Sequence, residues 1–99
     1  MTRPGLPTSF YEGYWEDLPR FSQPVQQRLK TFLELVGFDP DDPGLLAACQ
    51  PGRDWFRLIY GYPLSEGYVI FWRVLRGPKG PGSSLAPPKE IEVLAIAKP

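Results

Sequence analysis

Residues that break regular structure punctuate this chain throughout: 13 of its 99 residues are proline and 10 are glycine. Each proline fixes φ and removes a backbone donor, so the breaks decide where helices and strands can run. Pro4, Gly5 and Pro7 make residues 1–9 a flexible N-terminus. Pro40, Pro43 and Gly44 mark a loop, and Pro51-Gly52 marks a turn. The densest cluster is Gly77-Pro78-Lys79-Gly80-Pro81-Gly82-Ser83-Ser84, followed by Pro87-Pro88. Its composition predicts a surface loop over residues 77–90.

Between the breaks, two periodicities appear in succession. From Pro24 to Val36, the apolar residues Val25, Leu29, Phe32, Leu33 and Val36 fall on one face of a helix. Pro24 suits its first turn and Gly37 its C-terminal cap. A shorter helical piece is expected within Glu12–Phe21, with Trp15, Leu18 and Phe21 on one side and Pro19 limiting it. Asp42-Pro43 reads as an N-cap followed by a first-position proline, opening one or two turns over residues 43–49. From Asp54 onward the pattern turns aromatic and β-branched. Strands are predicted over residues 55–60, 68–75 and 91–97. The fold class is therefore α+β, a single domain with an N-terminal helical hairpin packed on a small antiparallel sheet. In the middle strand, Tyr68, Ile70, Trp72 and Val74 face one way, and Val69, Phe71, Arg73 and Leu75 the other. Both faces are largely apolar. The second needs cover, from the N-terminal segment or from a second copy in a homodimer.

Composition narrows the chemistry. Hydrophobic residues at 42% exclude disorder along the whole length. No apolar run is long enough for a membrane helix. The start, MTRPGLPTSF, lacks the apolar stretch of a signal peptide, so a cytoplasmic location is expected. A single cysteine, Cys49, rules out an internal disulfide. Together with the absence of histidine, it argues against an ordinary zinc site, and no metal or cofactor is expected. Charges cancel overall but not by half. Residues 1–50 carry four basic and seven acidic side chains, and residues 51–99 carry seven and four. The second half attracts polyanions weakly, far less than a dedicated nucleic-acid domain.

The order of elements carries a resemblance. The stretch from Trp15 to Val36, WEDLPRFSQPVQQRLKTFLELV, resembles the helical hairpin of RelE/ParE-type bacterial toxins, and Phe38-Asp39-Pro40 follows it as an Asp-Pro does in that family. Gly44-Leu45-Leu46 matches the family's leucine-bearing loop. Tyr68-Val69-Ile70-Phe71-Trp72 is similar to its middle strand, and Val93-Leu94-Ala95-Ile96-Ala97-Lys98 to its last. The resemblance covers residues 10–98 and places a short first strand at Thr8–Tyr11. It implies a compact fold that binds an antitoxin partner. RelE-like members cleave messenger RNA on the ribosome, whereas ParE-like members inhibit DNA gyrase. The nucleases use no metal. Basic side chains on a concave sheet face stabilise the phosphorane-like transition state while an RNA 2′-hydroxyl attacks.

Carried onto this chain, the resemblance makes Arg57, Arg73 and Lys98 the candidate catalytic cluster of a metal-independent endoribonuclease. Arg53, Arg76, Lys79 and Tyr62 are the candidate nucleic-acid contacts, Tyr62 as an exposed loop aromatic beside Pro63. The chain also departs from the nuclease pattern. Val69 stands where the middle-strand arginine falls, and the charge balance is neutral. A ParE-like or catalytically degenerate member that binds a macromolecular target is the better match, with an active endoribonuclease and a non-enzymatic interaction module as alternatives. Arg57 and Arg73 have a structural role open to them as well, pairing with Glu90, Glu92 or Asp54. The glycine-rich loop does not satisfy the phosphate-loop pattern. Asp39, Asp41 and Asp42 are read as turn and cap residues, and Cys49 as a packing residue.

Overall fold

The computed structural model describes residues 5–51, 59–77 and 87–98. It is a mixed α+β fold. Strand β1 (Thr8–Phe10) leads into a single helical turn, α1 (Tyr14–Asp17), and a 3-10 turn (Leu18–Arg20). The long helix α2 (Gln23–Phe38) and short helix α3 (Pro43–Ala48) follow. The sheet comprises a two-residue β2 (Gln50–Pro51), then β3 (Tyr60–Pro63), β4 (Val69–Arg76) and β5 (Pro88–Ala97). No helix among the described residues is long and apolar enough to cross a membrane.

The local signals act largely as the chemistry dictates. Val25, Leu29, Phe32 and Val36 of α2 are each at most 1% exposed. Asp42 caps α3, its carboxylate accepting from the Leu45 N–H at 2.9 Å. Gly37, however, does not cap α2. The helix runs to Phe38 and stops at Asp39, whose φ is −154°. Asp39 precedes Pro40, and the proline ring disfavours helical backbone in the residue before it. The expected helical hairpin is reduced to α2 and the brief α1 with its 3-10 turn, because Pro19 enters just after α1.

The sheet order is β1-β5-β4-β3-β2. It is mixed rather than antiparallel, since β1 lies parallel to β5 with Thr8 opposite Ile91 and Phe10 opposite Val93. Residues 5–9 are tied down rather than a loose tail: Leu6 N–H donates to Gly37 O at 3.0 Å, and Pro7 O accepts from Ile91 N–H at 2.9 Å. Most of the first predicted meander strand, residues 55–60, lies outside the described residues. The described strand there, β3, occupies Tyr60–Pro63: Tyr60 was expected to end the strand, and residues 61–63 to form the turn after it. Tyr60 and Tyr62 alternate at strand period and both pack inward, which favours extended pairing over a turn. Of the loop predicted over residues 77–90, residues 78–86 also lie outside the description. Gly77 N–H donates to Pro87 O at 2.9 Å, and β5 begins at Pro88.

β4 and β5 pair with an irregularity that the alternation rule does not anticipate. Phe71 faces Ala95, but Trp72 faces Val93, so Leu94 is an extra residue. This β-bulge lets Val93 and Ile96 share the helix-facing side although they are three residues apart. The core lies between that side and α2. Trp72, Ile70, Phe32 and Ile91 are fully buried within it. The Phe32 ring meets Trp72 at 5.6 Å and Tyr62 at 4.8 Å between centroids.

The opposite side of β4 carries Val69, Phe71, Arg73 and Leu75, as the alternation predicts, and Val69, Phe71 and Leu75 stand outside the core cluster. Leu6 and Phe10 pack with the core instead, so these N-terminal residues do not cover that face.

Truncating Phe32 in the aromatic cluster leaves a cavity at the helix–sheet seam. Phe32→Ala is expected to lower the unfolding free energy by about 3–5 kcal/mol. Glu34→Ala on the exposed face should change it by less than about 0.5 kcal/mol. Urea denaturation of both variants checks the contrast.

Candidate functional site

The cations expected to form a catalytic cluster are not gathered together where the structure describes them. Arg57, Arg53 and Lys79 lie outside the described residues. Arg73 projects from the sheet face away from the helices, and its Nη2 donates to both carboxylate oxygens of Glu92 at 3.1 and 3.2 Å. The two residues are direct cross-strand partners, so the ladder register itself brings them together. Arg73 Nε is buried with no hydrogen-bond partner.

Lys98 follows β5 and extends over the ring of Tyr68 at 5.5 Å. Tyr68 in turn meets Phe21, which places Lys98 on the helix side of the sheet. Ala97 pairs with Val69, and Arg73 lies four residues further along β4. At about 3.3 Å per residue, Lys98 and Arg73 stand roughly 15 Å apart along the strands as well as on opposite faces.

The remaining candidates are engaged elsewhere. Arg76 is paired with Asp41 in the loop after α2, its Nη1 donating to Asp41 Oδ2 at 3.2 Å. Hydrogen bonding to that carboxylate holds the guanidinium still more firmly protonated. Tyr62 is not the exposed loop aromatic expected from its neighbour Pro63. It lies in β3, only 5% exposed, with the Arg28 guanidinium 5.4 Å from its ring. Base stacking on Tyr62 is therefore excluded by packing. The Cys49 thiol is pushed up by burial. A thiol so raised is a poor nucleophile.

A wide concavity opens elsewhere among the described residues, between the α1 turn and α2. Gly13 enters the turn at φ 92°, a left-handed backbone that suits glycine. The turn then presents two adjacent aromatics in different directions. Tyr14 points inward and stacks on Phe10 at 4.1 Å. Trp15 packs edge-on to Phe10 and Tyr14 at 5.2 and 5.0 Å yet stays 68% exposed. Trp15 shares its expected side with Leu18 and Phe21, yet the residue this turn buries is Tyr14. Beside Trp15 opens a groove of about 500 Å³, with Leu18, Leu29 and Leu33 at its base and Gln26, Lys30 and Glu34 along its α2 edge. An exposed tryptophan beside an apolar groove with a sparse polar edge is equipped to bind rather than to transfer protons.

Tyr11 anchors this turn, its hydroxyl donating to Asp17 Oδ2 at 3.0 Å. Burial, reinforced by the Asp17 hydrogen bond, pushes the Tyr11 phenol up to about 12. The folded pKa exceeds the unfolded value near 10, so this contribution to stability is fully present below pH 10 and is lost as pH rises through 12. NMR titration of the Tyr11 ring carbon should show the raised midpoint, and Tyr11→Phe should remove that part of the alkaline destabilisation. On the sheet face, a double-mutant cycle between Arg73→Ala and Glu92→Ala is expected to give a coupling of at most about 1 kcal/mol by urea denaturation.

No protein-family model matches this sequence, and comparison with curated proteins gives no match.

Proposed function

We propose that this chain is a toxin-like protein of the RelE/ParE kind that acts by binding a macromolecular target and an antitoxin-like protein partner, not by cutting RNA. The observation that carries this reading is the separation of Arg73 from Lys98. One is paired with Glu92 on the outer sheet face, and the other lies over Tyr68 on the helix side. General acid and transition-state cation must converge within a few ångströms of one phosphate, and these two do not. Val69 adds no donor beside them. The element order supports the family part of the reading: a short first strand, helices, then a β3-β4-β5 meander, as the sequence resemblance implies. The groove beside Trp15 supplies the binding surface, because a largely exposed tryptophan over an apolar base is the kind of anchor that dominates protein interfaces.

Controlled induction in bacteria tests this, with growth, total RNA and nucleoid morphology read together. The expected result is arrest with intact messenger RNA, relieved by Trp15→Ala and unchanged by Arg73→Ala. Fragmented messenger RNA that Arg73→Ala protects would overturn the binding reading in favour of the nuclease. Normal growth with soluble protein would remove the toxin part and leave an interaction module.

A further inference from the structure

The end of α2 carries a second apolar site, on the shoulder of the helix away from Trp15. Leu33 faces the Trp15 groove. Leu35, two residues on, is turned about 200° around the helix axis. Leu35 is 47% exposed and Phe38, three residues further, 68%. These two are, with Trp15, the large apolar side chains most exposed among the described residues. They border a hollow of about 270 Å³ whose inner wall includes Leu45 and Tyr62.

The described lining of the hollow is acidic. Asp39 and Asp42 stand on its rim and no cation lines it among the described residues, while Arg28 sits 5.4 Å from the Tyr62 ring. The last turn of α2 contains no basic residue, so no cation of the helix itself offsets the negative end of its dipole. Arg76, at the end of β4, is bound to Asp41 in the adjoining loop. Asp39 and Asp42 each accept one backbone N–H, from Asp41 and Leu45, which leaves further acceptor capacity on both carboxylates.

We propose that the Leu35–Phe38 hollow is a docking site for a basic amphipathic protein segment. An apolar side chain of the segment would enter the hollow while lysine or arginine one helical turn away meets Asp39 and Asp42. The charge of the rim selects the sign of the partner. The size of the patch selects its class. The hollow is smaller than an ordinary small-molecule site, and Leu35 and Phe38 extend beyond it, so a compact ligand leaves both still exposed. A helix laid across the end of α2 covers them. This site is independent of the toxin-like reading and of the Trp15 groove.

The test uses the full chain and two designed helical peptides of about 15 residues, long enough to hold a helix. Both carry leucines at i, i+4 and i+7. One has lysines flanking them and the other glutamates. Binding is followed by amide chemical shifts. The lysine peptide is expected to perturb Leu35, Phe38, Asp39 and Ala48, to weaken as salt rises from about 50 to 300 mM, and to bind about tenfold more tightly than the glutamate peptide. Phe38→Ala should weaken it about tenfold, and Asp39→Asn should reduce its salt dependence. Phe38 is exposed, so its truncation leaves the fold intact. Equal binding of the two peptides, or binding indifferent to Phe38→Ala, overturns the proposal. Sedimentation of the chain alone checks the other occupant: self-association abolished by Phe38→Ala assigns the patch to a second copy and also overturns it.

Discussion

The packing of one helix face against one aromatic side chain holds this fold together. Trp72 sits at the centre of β4, fully buried, with Phe32 of α2 against it and Tyr60 5.2 Å away in the neighbouring strand. Every other element is placed relative to that contact. α2 fixes Leu6 through the Gly37 carbonyl, and Phe10 joins the core by stacking on Tyr14. The turn between β3 and β4 is clamped to the start of α2, where the Ser65 hydroxyl donates to Pro24 O and the Ser22 hydroxyl to the Glu66 carboxylate. That turn holds Glu66 at φ 59°, a left-handed conformation costly for a residue with a Cβ, and the contacts to α2 offset the cost.

The parts of this structure written in local pattern could be read before the fold was seen. The buried face of α2, the cap at Asp42 and the two-sided alternation of β4 all depend on residues within a few positions of one another. The parts that were not legible depend on distant pairing. Nothing near Leu94 announces a bulge, which exists because β5 must match β4 at both Ile70 and Trp72. Nothing near Thr8 announces a parallel neighbour more than eighty residues away. The end of α2 was legible in principle, since Asp39-Pro40 is a stronger stop than Gly37, and the two signals sit side by side.

The candidate sites divide in the same way. The outward direction of Arg73 followed from strand period, and its structural partner Glu92 was among those foreseen. Its separation from Lys98 depends on which face the last residue of the β5 segment adopts, and the bulge resets that face. Tyr62 was misplaced because proline next to a tyrosine suggests a turn, whereas Pro63 is tolerated here at the last position of a short strand. Leu35 falls outside the apolar face read from helical period, whereas the exposed positions of Trp15 and Phe38 had no sequence signal of their own. Apolar residues on a helix read as core until a neighbouring element is seen to leave them uncovered.

The parallel pairing of β1 with β5 also sets an order of events in time. Thr8 and Ile91 are 83 positions apart, whereas the β4–β5 ladder and the face of α2 close over much shorter spans. Closing a loop of that length costs about 4 kcal/mol in chain entropy before any contact rewards it. Three residues of β1 cannot meet that cost alone, so they join a sheet already assembled on α2. During synthesis the leading strand waits for β5 to emerge.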